Sequence, residues 1–136
     1  MNNESNNIKI ICPEDCGNAP KKQFLKEFNI AFAKNDLSFV SDNITDDFRW
    51  NKIGKEQIQG KESVIEVLKQ LQNSKVTELH INKIITHGYD GSVNGAIQLE
   101  NKQTYSFCHV FTFASSRNNS KIKECLSYII ELPESN

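Results

Sequence analysis

The sequence predicts a single α+β domain, in which a cone-shaped, mixed or antiparallel curved sheet wraps around three helices. Two observations carry this prediction. Apolar residues recur at helical spacing in the first half of the 136-residue chain, and long runs of alternating polarity fill the second half. Helices followed by a series of strands are typical of this class, because each strand must bury one face and the helices supply the covering layer.

Three amphipathic helices are predicted ahead of the long strands. The first follows Asn18, which can cap it, and has Pro20 in its first turn. Its apolar face consists of residues at helical spacing: Phe24, Leu25, Phe28, Ala31 and Phe32. Asp36 can cap a second, shorter helix, and a third is expected from Lys61 to about Gln72, with one buried stripe.

The strands are predicted from runs in which apolar and polar residues alternate. A first strand surrounds Phe48 and Trp50, between the second and third helices. Four longer strands are expected later in the chain, at residues 76–86, 92–99, 103–114 and 122–132. A short apolar run at residues 8–11 could add an edge strand or anchor the N-terminal arm.

Composition and length indicate one domain at residues 20–132, with a flexible arm at 1–19 and a tail at 133–136. Sixteen basic and 17 acidic residues give a net charge of −1. This balance offers no electrostatic basis for binding nucleic acid or an anionic membrane. The sequence has no apolar run near the ~20 residues of a spanning helix, and its start does not resemble a signal peptide, so we expect a cytoplasmic protein.

The four cysteines fall into two groups. Cys12 and Cys16 bracket a turn in the N-terminal arm, and one close pair cannot complete a four-ligand zinc site. Free thiols are the preferred interpretation of this pair, with a disulfide or redox pair and a metal site as alternatives. Cys108 and Cys125 lie in strand-like runs, where a free cysteine usually packs as a small apolar residue. We predict no metal site and no cofactor.

The residues best suited to catalysis or ligand binding lie in the run from Gln103 to Ala114. Alternation places a histidine and four large rings on one face: Tyr105, Phe107, His109, Phe111 and Phe113. This face should be concave, since so many rings could not face water cheaply. His109 would then be a desolvated, neutral imidazole, suited to act as a general base or to bind a ligand. The alternative is a core histidine satisfied by a neighbouring hydroxyl or backbone group.

Further pocket residues are expected on the other elements. Trp50 could stack on a flat ligand, although a plain core tryptophan would give the same pattern. Alternation along the last strand groups Tyr128 with the inward-facing residues, which would bring its hydroxyl near His109. Glu124 has the same parity and is expected to be solvated at the end of the strand. A bulge would reverse these assignments.

The order of these elements resembles the nuclear-transport-factor-two-like superfamily, and its SnoaL-like branch in particular. Within about residues 21–132, the local matches are Asn35-Asp36, Asp46-Asp47-Phe48-Arg49-Trp50 and Gly60-Lys61-Glu62. The resemblance implies a cystatin-like, SnoaL-like α+β barrel with an apolar pocket at its open end. It also implies a homodimer formed through the outer face of the sheet. Isomerases, cyclases, dehydratases, hydrolases and non-catalytic binding modules share this fold, so the resemblance does not name an activity.

Ketosteroid isomerases of the same superfamily offer a more detailed comparison. The position that matches His109 carries a neutral acid in those enzymes, which donates to the substrate oxyanion. Their catalytic tyrosine falls at about Phe28, and their general base falls near Trp50 or Asn51. Because these residues cannot replace the tyrosine and the base, steroid isomerisation by that mechanism is not expected.

The expected function is therefore the binding of a small apolar or aromatic molecule in the cone of a homodimer. The pocket is expected to contain His109, Trp50, Phe28, Phe107, Phe111, Tyr105 and Tyr128. If the protein is an enzyme, His109 should move a proton in a cofactor-free isomerisation, cyclisation or dehydration. The alternatives are a non-catalytic binding or stress-related module, and a protein-interaction module that uses the outer sheet face and the N-terminal arm.

Overall fold

The computed structural model describes residues 8–13, 17–71 and 75–133. These residues form three helices and one curved, open sheet of seven strands. The helices are α1 (Pro20–Lys34), α2 (Leu37–Asp42) and α3 (Lys61–Gln70). The strands are β1 (Lys9–Ile11), β2 (Ile44–Lys52), β3 (Glu56–Gln59), β4 (Val76–His87), β5 (Asp90–Leu99), β6 (Thr104–Phe113) and β7 (Ile122–Glu131). The predicted α+β class is confirmed.

The sheet is mixed and has the order β1-β4-β5-β6-β7-β2-β3. The four long strands, β4 to β7, form an antiparallel meander. The chain start adds β1 in parallel to β4, and β2 joins β7 in parallel. Because β2 comes from the helical half of the chain and pairs with the last strand, it ties the two halves together. The short edge strand β3, which alternation did not predict, pairs with β2.

The helix ends follow local sequence signals. Ala19, not the predicted Asn18, is the N-cap of α1, and it makes no side-chain cap bond. The helix ends at Asn35, whose N–H bonds to the carbonyl groups of Ala31 and Phe32. The left-handed backbone of Asn35 (φ 60°) turns the chain so that the N–H of Asp36 also reaches Ala31. Asp36 caps α2 as predicted, because its side chain accepts a hydrogen bond of 3.2 Å from the backbone N–H of Phe39.

The hydrophobic core lies between the three helices and the concave face of the sheet. Helix α1 packs against β4 and α2, and α3 packs against β2. The largest fully buried side chains include Phe28 from α1 and both Phe111 and Phe113 from β6. Most of this core is apolar, so the few buried polar side chains require individual explanations. In the described ranges they are Lys21, Asn29, His109 and Ser127.

The N-terminal arm contributes to the sheet through β1, in which Lys9 lies opposite Glu78. Cys12, just after this strand, is disulfide-bonded, so the preferred interpretation as a free thiol is wrong for this residue. The other member of the predicted pair, Cys16, lies outside the described residues. Cys108 and Cys125 are free thiols, as predicted. In the described part of the chain, no helix is long and apolar enough to cross a membrane.

Candidate functional site

Strand β6 presents its aromatic residues to the concave face of the sheet. Phe107, His109, Phe111 and Phe113 are all buried, and the residues between them are more exposed. Tyr105 has the same parity but is only half-buried, at the start of the strand. The pairing of β5 with β6 contains no bulge, so strict alternation keeps these side chains in one row. Val93, Gly95 and Ile97 of β5 lie opposite residues of this row.

Aromatic rings surround His109. Its imidazole stacks on Phe107, with ring centroids 4.8 Å apart and an interplanar angle of 25°. Phe32 of α1 and Phe111 of β6 lie at centroid distances of 6.3 and 5.9 Å. Phe32 also contacts Trp50 of β2, at 5.2 Å. The structure therefore brings His109 and Trp50 to the same group of rings, with Phe32 between them.

A buried hydroxyl that the sequence prediction missed joins the polar atoms of His109 and Trp50. Ser127 of β7 is 1% exposed, and its Oγ lies 2.8 Å from Nδ1 of His109. The indole Nε1–H of Trp50 donates to the same oxygen over 2.8 Å. The thiol of Cys125 lies 3.5 Å from it. One hydroxyl thus fixes the orientation of two large side chains from different strands.

Two arrangements of protons satisfy these contacts. In the first, the Ser127 hydroxyl donates to Nδ1 of His109, and Nε2 of the neutral ring carries the proton. In the second, Nδ1–H donates to Ser127 Oγ, and Nε2 is left with a free lone pair. Ser127 accepts from Trp50 in both cases, since an indole N–H can only donate. His109 can therefore present either a donor or an acceptor at Nε2.

Burial controls the ionisation of the site. Desolvation lowers the pKa of His109 to about 4, so the imidazole is neutral at pH 7. Desolvation also raises the pKa of Cys125 to about 12, so this residue is a thiol and not a thiolate nucleophile. None of the described carboxylates has a hydrogen bond or an ion pair with His109.

The second nitrogen of His109, Nε2, has no hydrogen-bond partner in the described part of the protein. It is not fully enclosed either, because in this part of the chain the only atom that is both enclosed and unpaired is Oδ1 of Asn35. Some accessible surface therefore remains at Nε2, where a water molecule or a ligand atom can bind.

The structure places the other expected pocket residues at different depths. Phe28 is buried and meets Phe111 edge to face, with centroids 5.9 Å apart. Trp50 is also buried, although Lys52 lies over its ring at 5.0 Å. Within the described ranges, no group of three or more histidine, cysteine or acidic side chains is placed to hold a metal ion.

The expected position of Tyr128 in the pocket is wrong. Thr112 pairs with Glu124 and Phe113 pairs with Ile122, so Lys123 is an extra residue that forms a bulge in β7. Beyond the bulge the parity is reversed. Tyr128 lies opposite Cys108 on the convex face and is 43% exposed, whereas Ser127 faces His109. The alternative alternation Cys125, Ser127, Ile129 was visible in the sequence, but nothing local favoured it.

A polar groove on the convex face of β2 and β3 is a weaker candidate. It is lined by Arg49, Trp50, Asn51, Gln57, Ile58, Gln59 and Glu124. Arg49 and Glu124 form an ion pair of 3.3 Å there, and the arginine side chain is mostly exposed. Glu124 thus lies outside the cone as an ion-pair partner. The groove contains no buried ionisable group, so the His109 cluster remains the better site.

No protein-family model and no curated protein matches this chain. Among solved structures, an NTF2-like protein of unknown function from Cytophaga hutchinsonii is 19% identical, with a TM-score of 0.62 over 81% of this chain and 99% of that one. A putative SnoaL-like polyketide cyclase from Shewanella denitrificans is 14% identical, with a TM-score of 0.67 over 81% and 90%. An LEH-like epoxide hydrolase from M. tuberculosis is 20% identical, with a TM-score of 0.67 over 79% and 76%.

These similarities show that the chain has the NTF2-like fold that SnoaL-like proteins share. The resemblance inferred from the order of the elements is therefore confirmed at the level of the fold. Activity does not follow from it, because unrelated chemistries and plain binding modules use the same architecture.

Proposed function

We propose that this protein binds a small, largely apolar or aromatic molecule inside its cone, against His109. The observation that carries the proposal concerns Nε2 of the neutral, buried imidazole of His109, which is surrounded by aromatic rings. This atom has no described protein partner and is not fully enclosed. Binding sites for small molecules are commonly apolar cavities with a few well-placed polar groups. The ring cluster supplies the apolar wall, and Nε2 supplies a polar group that orients the ligand.

A purely structural role explains the contact of only one of the two ring nitrogens of His109. The bond from Nδ1 to Ser127 is the kind of contact that a core histidine needs. A core role uses only one of the two ring nitrogens, because Nε2 has no described protein partner and is not fully enclosed. A ligand atom that replaces water on Nε2 would use the second nitrogen, which supports the binding role.

Catalysis would use the neutral imidazole. With its proton on Nε2, His109 can donate a hydrogen bond to a carbonyl oxygen and stabilise the negative charge that develops there. With its proton on Nδ1, it can accept a proton from the ligand, although a pKa near 4 makes it a weak base. Such chemistry fits an isomerisation, cyclisation or dehydration without a cofactor. Neighbours of this fold named as a cyclase and as an epoxide hydrolase support this class of reaction.

A non-catalytic binding module is the second candidate. It is favoured by the absence of a described carboxylate paired with His109, since a single weak base gives limited acid–base catalysis. If a substrate is found, a pH-dependent reaction rate that is lost in a His109 variant would show that the protein is an enzyme.

Native mass spectrometry of protein purified without added ligand tests the proposal. We expect an additional mass that is released under denaturing conditions. Replacing His109 by leucine should reduce its occupancy at least about tenfold, since the variant loses the polar contact. His80→Leu, a histidine change on the convex face, is the matched control and should keep the adduct. Equal occupancy in a folded His109→Leu variant would contradict the proposal.

We also infer that the protein forms a homodimer through the convex face of the sheet. The exposed large apolar side chains on this face include Ile85 (56%), Tyr128 (43%) and Ile130 (66%). Val110 and Leu126 lie opposite each other between them and are half-buried. Exposed apolar side chains concentrated on one face often mark a protein–protein contact. A second copy is the occupant that we propose, because it presents the same apolar face and the chain is almost neutral.

A further inference from the structure

Asn29 is a buried polar residue that the site described above does not use. It lies on α1 and is 4% exposed. Its neighbours on the buried stripe of the helix are Leu25, four residues earlier, and Phe32, three residues later. An asparagine in such a position costs free energy unless its amide finds partners.

Only half of this amide is satisfied by the protein. Nδ2 of Asn29 donates to the carbonyl oxygen of Leu25 over 2.7 Å. Because a carbonyl oxygen only accepts, the nitrogen must face the helix backbone and Oδ1 must face away from it. Oδ1 has no hydrogen bond to a described residue, and it is not a fully enclosed atom. It is therefore an unpaired hydrogen-bond acceptor that keeps some accessible surface on a buried residue.

Asn29 and His109 belong to the same region of the cone. Phe32 contacts the rings of His109 and Trp50, and it lies one helical turn from Asn29, roughly 5–6 Å between Cβ atoms. Phe28 is adjacent to Asn29 and contacts Phe111, which lies two residues after His109 on β6. The two unpaired polar atoms thus belong to residues that neighbour the same ring cluster, Asn29 by its spacing on the helix and His109 as a member on the sheet.

We propose that Asn29 is the second polar contact of the ligand and that it selects an uncharged ligand with a hydroxyl or N–H group. This inference rests on the proposed binding function. Oδ1 can only accept, so a ligand must donate to it. The described contacts around Asn29 and His109 include no charged group, so a charged ligand would lose its hydration without compensation. The ligand class is an apolar ring system that carries a neutral donor, such as a phenol or an enol.

Two naphthalene probes test this specificity: 2-naphthol, which has a donor, and 2-methoxynaphthalene, which has only an acceptor. Calorimetric or fluorescence titration of the wild-type protein should give at least about fivefold tighter binding of 2-naphthol, the usual effect of one neutral hydrogen bond. Asn29→Ala and Asn29→Leu should both bring the two affinities within about twofold. Asn119→Ala, at an exposed asparagine, is the control and should keep the wild-type ratio.

The outcomes separate this inference from the proposed function. If both probes bind the wild type equally, or if the ratio persists in the Asn29 variants, the role of Asn29 is overturned and the pocket stands. If neither probe binds at millimolar concentration, the pocket itself is overturned, and the role of Asn29 with it. If a variant fails to fold, equal affinity of the wild-type protein for the two probes is still sufficient to overturn the inference.

Discussion

At the scale of single residues, the environment of His109 determines which form of its side chain exists. Burial among Phe107, Phe111 and Phe32 removes water, and no described acidic group compensates a charge on the ring. The hydroxyl of Ser127 can donate or accept, so it supports both neutral tautomers without favouring the cation. The same burial that makes His109 neutral makes it sensitive to acid.

The pH dependence of stability tests this environment. The folded-state pKa of about 4 lies below the unfolded value of about 6.5, so the unfolded chain binds the extra proton first. The contribution of His109 to the free energy of unfolding is complete above pH 6.5 and is lost as the pH falls toward 4. The free energy of unfolding, measured in urea, should fall between pH 7 and pH 4 by about 3 kcal/mol more in the wild type than in His109→Leu. Parallel losses in the two proteins would show that His109 is not desolvated.

At the scale of secondary structure elements, bulges decide which residues reach the site. A one-residue insertion at Lys123 turns Ser127 inward and Tyr128 outward. Alternation has a period of two, so a sequence pattern identifies the strand but cannot reveal where the parity changes. The regular strand β6 has no such insertion, and its inward row was predictable for that reason. A second register shift, between Ile81 and Lys83, interrupts the pairing of β4 with β5.

Gly95 tests the importance of this second irregularity. A Cβ atom on Gly95 would overlap with the backbone carbonyl of His80, which cannot move without distorting β4. We expect Gly95→Ala to lower the free energy of unfolding by about 3 kcal/mol or more. Gly91→Ala is the matched change on the same strand. Its Cβ meets the Leu25 side chain at 2.7 Å, which can adjust, so about 1 kcal/mol is expected. Chemical denaturation measures both, and an equal cost would contradict the close approach of the two strands.

At the scale of the whole molecule, the fold was predictable and the site was predictable only in part. Helical spacing and alternation are local signals that survive at under 25% identity, which is why the order of elements sufficed. His109 and Phe28 are buried as their spacing predicted, because the helical and alternating patterns around them are uninterrupted. Trp50 is buried too, although the pairing of β2 with β7 is irregular between Ile44 and Arg49. Asn29, which we propose as a ligand contact, was not singled out, although a polar residue on the buried stripe between Leu25 and Phe32 was a usable signal.

The proposed dimer makes a prediction at the same scale. Ile130→Lys places a charge in the apolar convex face, and burying it against a second copy is costly. We expect the dimer to dissociate at concentrations at least about tenfold higher than for the wild type, measured by light scattering after size exclusion. Ile53→Lys changes an exposed isoleucine in the turn between β2 and β3 and should have no effect. Wild-type protein that is monomeric at high concentration would exclude this assembly.

The most direct test of a ligand site at His109 is a long-range ¹H–¹⁵N NMR spectrum of the imidazole nitrogens at pH 7. The spectrum is recorded with and without saturating 2-naphthol, and the His109 signals are assigned by their loss in His109→Leu. We predict a neutral ring in both spectra, with a large probe-induced shift at Nε2 and a small one at Nδ1, which stays bonded to Ser127. A protonated ring at pH 7, or an Nε2 signal that does not respond to saturating probe, would contradict the account.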